Sequence, residues 1–327
     1  MNTDEALRVI FHSHGSPSVL EYQSSTVNPL CPGEVRIRNQ AIGVNFIDTY
    51  FRSGLYPPPA LPSGLGTEGA GTVIECAEDV THFRVGDRVA YVQSSLGAYA
   101  TQLCVDQTRL VHLPDDVSFT TAAGGLLKGL TTICLFNKVS QPKSGDTVLF
   151  HAAAGGVGLL ACQYAKRKGI RLIGVVSTEA KAQLARSAGA WATILAGEDI
   201  AHRARQLTGA QGAKFVYDSV GRSTWQASLD STAPCGHLIS FGNSSGPVEN
   251  VALAQLARAG SLTVSRPILF DYISDSAVLR SLAEEFFQCL REGMKVRVGT
   301  TFALSEAERA HALLESRNTT GSIVLIP

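Results

Sequence analysis

The chain has 327 residues, 45% hydrophobic and 17% charged, with 28 Lys and Arg set against 28 Asp and Glu. That length suits about two domains with a substantial core, and the composition is that of a globular rather than a disordered chain. Balanced charge excludes a global attraction to nucleic acid or to an anionic membrane. Seven scattered cysteines without a CxxC pair exclude a disulfide framework or a structural zinc cluster.

The start, Met1-Asn2-Thr3-Asp4-Glu5, is polar and acidic, unlike a secretory signal, and no uninterrupted apolar stretch reads as long enough to span a bilayer. A cytoplasmic protein with no membrane partner is expected. Strand-like runs follow at Glu34–Arg38, Gly71–Ile74, Asp87–Tyr91 and Arg109–Leu113, punctuated by Pro32-Gly33 and Gly86-Asp87. They predict a mainly antiparallel β unit. From about Thr121 apolar runs alternate with helical patterns. Strands are predicted at Val148–Phe150, Leu172–Val176, Thr193–Leu195, Phe215–Tyr217 and Leu238–Phe241, with helices over 157–168, 179–188 and 199–207. Such alternation predicts an α/β domain with a parallel sheet and right-handed crossovers. A helix over Ser276–Arg291 and a strand over Ser322–Ile326 are expected to return to the first unit. The segments are then 1–122, 123–264 and 265–327, the first and last forming one domain.

The run Thr147–Gly158 carries the clearest chemistry. A short strand enters Ala152-Ala153-Ala154-Gly155-Gly156-Val157-Gly158, and a helical pattern follows. A strand–turn–helix of this kind brings backbone amides up to a pyrophosphate, with glycines where a Cβ would block the approach. Ala153, Gly155 and Gly158 occupy the three small positions of the dinucleotide fingerprint. The second strand ends at Ser177-Thr178, where a carboxylate would bind the ribose of NAD, and Lys181 follows one turn later. A hydroxyl and an ammonium suit the 2′-phosphate of NADP. Ser177 can also simply cap the next helix, and Glu179 is a possible ribose-binding acid.

Residues 42–71, with Asn45-Phe46-Ile47-Asp48-Thr49-Tyr50, Gly54-Leu55-Tyr56-Pro57 and Gly66-Thr67-Glu68-Gly69-Ala70-Gly71, resemble the NADPH-dependent quinone oxidoreductases. These form the zeta-crystallin-like, zinc-free branch of the medium-chain dehydrogenase/reductase superfamily. Leu127-Lys128-Gly129-Leu130-Thr131, Tyr217-Asp218-Ser219-Val220-Gly221, Ser240–Ser244 and Leu314-Glu315-Ser316-Arg317 extend the resemblance over nearly the whole chain. It implies a GroES-like catalytic domain, a doubly wound Rossmann domain, a cleft between them and a homodimer. It also implies that Phe46, Asp48 and Lys128 contact the nicotinamide side and that Gly155, Gly156 and Val157 hold the pyrophosphate. Ser177 and Lys181 are implied at the 2′-phosphate, with Phe241, Gly242, Asn243, Ser244, Arg266 and Arg317 as further cofactor contacts. One departure is Ile194-Leu195-Ala196, in a region where the family often has a tyrosine near the adenosine; weaker NADPH binding is expected from it.

Zinc members of the superfamily hold their metal with a cysteine and a histidine where this chain has Asn45 and Thr67, so no metal is expected. A quinone accepts hydride readily because charge spreads over its conjugated ring. Asn45, Tyr50 and Tyr56 are the candidates for positioning it, with no obligatory general acid; Tyr56 reads equally well as an ordinary half-buried aromatic. His12 and His14 share one side of a possible strand and read as surface residues. His151 reads as packing, Asp218 as the anchor of a turn, and Cys235 and the other thiols as small apolar residues. The expected function is an NADPH:quinone oxidoreductase. The alternatives are an NADPH-dependent reductase of α,β-unsaturated aldehydes or ketones, and an NADPH-binding protein with a secondary RNA site. Nothing basic and aromatic-rich supports RNA as the main ligand.

Overall fold

The computed structural model describes residues 5–26, 28–93 and 95–327. One unit takes in the described residues up to Leu130 together with 273–292 and 296–327, and a second holds 131–272 and 293–295.

The first unit opens with β1 (Glu5–Phe11), β2 (Glu21–Thr26) and β3 (Glu34–Val44), then helix α1 (Phe46–Ser53). It continues through β4 (Ser63–Gly64), β5 (Glu68–Cys76), β6 (Arg88–Val92), β7 (Gln102–Asp106), β8 (Leu110–His112) and helix α2 (Phe119–Cys134). The strands β2-β1-β4 form a small antiparallel sheet. β3 is longer than the predicted Glu34–Arg38 because its register shifts between Asn39 and Ala41, which breaks the alternation that signals a strand. β1 ends at Phe11, so His12 and His14 lie beyond the strand rather than on one side of it, and both are exposed.

α2 runs on as a π-helical turn, Leu135–Ser140. Together these 22 residues are long and apolar enough on average to cross a bilayer, although Lys128 interrupts the apolar run, and 72% of the apolar window is buried within the protein. Such burial marks a core helix. Gly125 and Gly129 let α2 approach closely, since a Cβ on Gly129 would stand 2.3 Å from the Phe286 ring.

The second unit alternates strictly. β9 (Thr147–His151), α3 (Gly156–Arg167), β10 (Arg171–Val176), α4 (Glu179–Ser187), β11 (Ala192–Leu195) and α5 (Ile200–Leu207) are followed by β12 (Ala213–Asp218) and α6 (Trp225–Ser231). β13 (Thr232–Ser240), α7 (Leu253–Arg258), β14 (Thr263–Ser265) and α8 (Leu269–Tyr272) complete it. All six strands are parallel, in the order β11-β10-β9-β12-β13-β14. This is the doubly wound arrangement, with its reversal of strand order between β9 and β12. Leu149, Ile173, Ile194, Val216 and Leu238 from five strands meet in one apolar core.

The chain then re-enters the first unit with α9 (Ser276–Arg291), β15 (Val298–Ala303), α10 (Ala307–Glu315) and β16 (Ser322–Ile326). β16 pairs antiparallel with β3 and parallel with β15, completing a sheet of order β15-β16-β3-β5-β6-β8 with β7 also on β3. Every other pairing in it is antiparallel, as a GroES-like β unit requires. Val35, Ile37, Tyr91, Leu110 and Ile323 lie in its core.

Candidate functional site

In the second unit the strands all run one way, so their carboxyl ends share one edge, and ligands bind there at the switch in strand order. Ala152 follows β9 in the left-handed conformation, φ 54°, and Gly155 N–H donates to its carbonyl at 2.9 Å. Gly155 is then the extended N-cap of α3, whose first amides have no intrahelical acceptor. Gly158 is required by contact. A Cβ there would stand 2.4 Å from the Ala152 carbonyl oxygen and 2.6 Å from the Ala153 carbonyl carbon. Ala153 tolerates its own methyl because β10 presents Gly174 opposite; any Cβ on Gly174 would lie 2.7 Å from it. Gly155, Gly156 and Val157 are half-buried at the helix N-terminus and fit an anionic pyrophosphate.

Along the same edge lie Ser177 after β10, Phe241–Ser244 after β13 and Arg266 after β14. Ser177 is exposed but does not cap α4: Thr178 is the N-cap, its Oγ1 accepting Lys181 N–H at 3.3 Å. The reason is local, because Thr178 keeps extended angles and the helix begins only at Glu179. Glu179 is ion-paired with Arg186. Partial burial pulls the Lys181 ammonium below its usual range. Phe241 N–H donates to Asp218 O at 2.8 Å, and Gly242 allows the close crossing, since a Cβ there would reach within 2.4 Å of Ser219 O. Arg266 Nη1 donates to Ser240 O at 2.9 Å.

Asp218 anchors the turn after β12. Its Oδ1 accepts Val220 and Gly221 N–H at 2.7 and 3.0 Å, and its Oδ2 accepts Ser228 Oγ–H at 2.7 Å. Ser228 Oγ in turn lies 2.9 Å from Nε2 of buried His151, whose pKa burial lowers. A hydroxyl that gives its proton to Asp218 must accept from His151 Nε2–H, and through Ser228 the imidazole ties the end of β9 to the end of β12. The thiols divide: Cys134, Cys162 and Cys289 are buried, as small apolar residues are, whereas Cys31 and Cys235 are exposed.

In the first unit the residues from Asn45 to Tyr56 and Lys128 gather around α1 and α2. Asn45 is the N-cap of α1, where the Asp48 side chain at the third helical position reaches back to its N–H. Asn45 Nδ2 donates to Glu68 Oε2 at 2.9 Å, and its Oδ1 accepts from Lys128 Nζ at 2.6 Å. Lys128 Nζ also lies 3.4 Å from Glu68 Oε2, while Glu68 Oε1 takes Leu127 N–H at 2.6 Å. Glu68 is wholly buried, and burial pushes its carboxyl up against the pull of Lys128. It fits because β3 carries Gly43 opposite, where a Cβ would stand 2.3 Å from Glu68 Oε2. Sequence reasoning noted Glu68 only as the neighbour of Thr67. The available signal was a carboxylate set among glycines and alanines in a strand.

Asp48 Oδ2 accepts Asn45 N–H at 2.8 Å and the Tyr99 hydroxyl at 3.0 Å. Burial raises its carboxyl to about 7. The Tyr50 and Tyr56 rings meet edge to face at 5.3 Å, and Tyr56 N–H donates to Tyr50 O at 3.0 Å. Tyr50 is buried and Tyr56 half-buried. Phe46 is half-buried in the first turn of α1, and Arg317 is exposed just beyond α10 in a left-handed conformation, φ 58°. Thr67 is buried, and among the described residues its hydroxyl has no hydrogen-bond partner. Among the described residues no group of three or more His, Cys, Asp or Glu side chains could hold a metal ion.

Two family models match the chain. The alcohol dehydrogenase GroES-like domain covers residues 31–115, and the zinc-binding dehydrogenase model covers 156–287. The quinone oxidoreductase of Pseudomonas aeruginosa is 52% identical over 324 residues, 98% of this chain and all of the relative. Crystal structures of the quinone oxidoreductase of Pseudomonas syringae and of the Escherichia coli quinone oxidoreductase complexed with NADPH superpose with TM-scores of 0.96 and 0.95. They are 50% and 48% identical, and each comparison covers 98% of this chain and 100% of the other. With its two domain types, parallel nucleotide-binding sheet and full-length identity near one half, the chain belongs to the quinone oxidoreductase family of the medium-chain dehydrogenase/reductase superfamily.

Proposed function

We propose that this protein is an NADPH:quinone oxidoreductase. The observation that carries the reading is the glycine turn at the β9–β12 switch point, in a chain half identical, end to end, to proteins named for that activity. Bound NADPH supplies the hydride at its nicotinamide ring. Gly155, Gly156 and Val157 hold the pyrophosphate with backbone amides. Ser177 and Lys181 receive the 2′-phosphate. Glu179, the carboxylate that would favour NAD, already has Arg186 as its cation. Phe46, Asp48, Lys128, Phe241, Gly242, Asn243, Ser244, Arg266 and Arg317 complete the cofactor set in this proposal.

Asn45, Tyr50 and Tyr56 orient the acceptor. The Asn45 amide gives one of its two hydrogens to Glu68, which leaves the second for a quinone oxygen. Charge developing on that oxygen spreads over the ring, so a modest donor suffices where a ketone would need a Lewis acid. The division of labour proposed is a cofactor domain over 123–264 and a catalytic domain over 1–122 and 265–327. A homodimer belongs to the same reading. Among the described residues β14 pairs only with β13, and Val251, Leu253, Ile268 and Tyr272 near that edge are exposed, Leu253 at 79%. Seven free cysteines suit the cytoplasm.

The test is steady-state oxidation of NADPH against ortho- and para-quinones and enones, with NADH alongside. Quinones are expected to turn over fastest and NADPH to be preferred. No quinone turnover above background sinks the proposal, and an NADH preference removes Ser177 and Lys181 from it.

A further inference from the structure

A buried chain of side chains runs from α10 to the N-terminus of α1. Arg52 of α1, 2% exposed, donates through Nε to Gly15 O at 3.0 Å and through Nη2 to Glu315 Oε1 at 2.6 Å. Its Nη1 lies 3.1 Å from His311 Nδ1. A guanidinium only donates, so His311 Nδ1 accepts, the ring is neutral and the proton sits on Nε2. That Nε2 is 3.0 Å from the Tyr99 hydroxyl and therefore donates to it, and Tyr99 donates onward to Asp48 Oδ2 at 3.0 Å. Asn45 N–H donates to the same oxygen at 2.8 Å. Every proton in the chain points one way, toward Asp48. Protonating His311 would set two donors and two positive charges face to face; burial and Arg52 accordingly lower its pKa to about 3.

The chain is not a proton wire. Arg52 never releases its proton at ordinary pH, so the path is closed at its outer end. What it supplies is a polarised support for the ionised form of Asp48. That carboxylate holds the backbone of Asn45 and so fixes the first turn of α1, from which the Asn45 side chain leaves toward Glu68 and Lys128. The other groups facing Asp48 are Lys128 of α2, which favours its ionisation, and Glu68 of β5, which opposes it. Among the described residues Asp48 Oδ1 has no hydrogen-bond partner, so the hydrogen bonds that oppose the penalty of burial all fall on Oδ2.

We propose that Tyr99 and His311 are positioning residues for the reaction: through Asp48 they hold Asn45 in its working geometry and set the pH below which that geometry is lost. This rests on the proposed role of Asn45. Neither residue carries a sequence signal, since His311 lies 212 positions from Tyr99 and 259 from Arg52.

The experiment compares the full chain with Tyr99→Phe, His311→Leu and Glu315→Gln. The pH profile of kcat/KM for quinone reduction is read beside the carbonyl-carbon NMR shift of the Asp48 carboxyl. Loss of the Tyr99 proton destabilises the ionised carboxylate, so in Tyr99→Phe the acid limb and the Asp48 titration both move up by about one pH unit. His311→Leu moves them the same way by less. Glu315→Gln leaves both in place. In Tyr99→Phe kcat falls at pH 6 and recovers once the pH passes the shifted Asp48 titration, as expected of an effect carried by that ionisation rather than of a merely structural loss. An Asp48 titration unmoved in Tyr99→Phe overturns the proposal, as does a moved titration with an unmoved acid limb. If Tyr99→Phe does not fold, His311→Leu carries the same two readings. Absence of quinone turnover in the unsubstituted protein instead defeats the proposed function, and the NMR arm still decides whether the chain supports Asp48.

Discussion

Glu68 shows how one carboxylate organises a site made of other residues. Its two oxygens take an amide N–H from Leu127, an amide hydrogen from Asn45 and the ammonium of Lys128, all out of water. Burying such a pair adds little net stability, but removing one member leaves the other charge uncompensated. Glu68→Ala is therefore expected to cost about 3 kcal/mol or more of unfolding free energy. Glu68→Gln, which keeps the volume and the Leu127 bond, costs less and still lowers kcat because Lys128 loses its counter-charge. Urea unfolding with turnover on both variants checks this; an unchanged midpoint in Glu68→Ala means the pair is solvated. The motifs around Asn45 and Lys128 marked both as candidates in the sequence. Glu68 was not read as their holder, because its partners lie 23 and 60 positions away and only the pairing of β3 with β5 sets it beside them.

At the scale of elements, the glycine turn decides more than helix propensity does. Gly158 sits in the first turn of α3, where alanine would favour the helix by about 1 kcal/mol. The contact with the Ala152 carbonyl outweighs that gain, since a Cβ cannot stand 2.4 Å from a backbone oxygen. Gly158→Ala is expected to displace the turn and weaken NADPH binding by about ten-fold or more, roughly the 1.4 kcal/mol that a small shift of backbone donors represents. Gly197→Ala is the control, with open space around it and no loss expected. Fluorescence titration of NADPH into both variants reads the difference, and equal affinities would remove the turn from the cofactor site. The parallel strands were legible because each is a short apolar run between helical patterns. β2, β14 and β15 were not: β2 and β15 are partly exposed strands with few large apolar residues, and β14 has only three residues.

For the molecule as a whole, two buried groups in one network make opposite demands on pH. Asp48 rises from 3.8 to about 7 on folding, so the stability linked to it is full below 3.8 and is lost as pH rises through 7. His311 falls from 6.5 to about 3, so its contribution is full above 6.5 and is lost as pH falls through 3. Between about pH 4 and 6.5 the two offset each other, and the stability of the unsubstituted protein is expected to change little with their titration. Asp48→Asn removes the first demand: its stability relative to the unsubstituted protein should rise from pH 4 to 7.5, and its own acid side should steepen. Thermal unfolding across that range tests the sign, and a relative stability that falls with rising pH refutes it. The sequence by itself determined the two domain types, the parallel sheet, the glycine turn and the family, because these rest on patterns local to a few dozen residues: period, turn chemistry and motif order. Tertiary structure alone decided which groups are buried together, that Thr178 rather than Ser177 caps α4, and that Asp48, Tyr99, His311 and Arg52 form one directed chain. A hydrogen bond between residues hundreds of positions apart leaves no periodicity in the chain, and the desolvation that shifts a carboxyl to about 7 exists only once the sheets have closed around it.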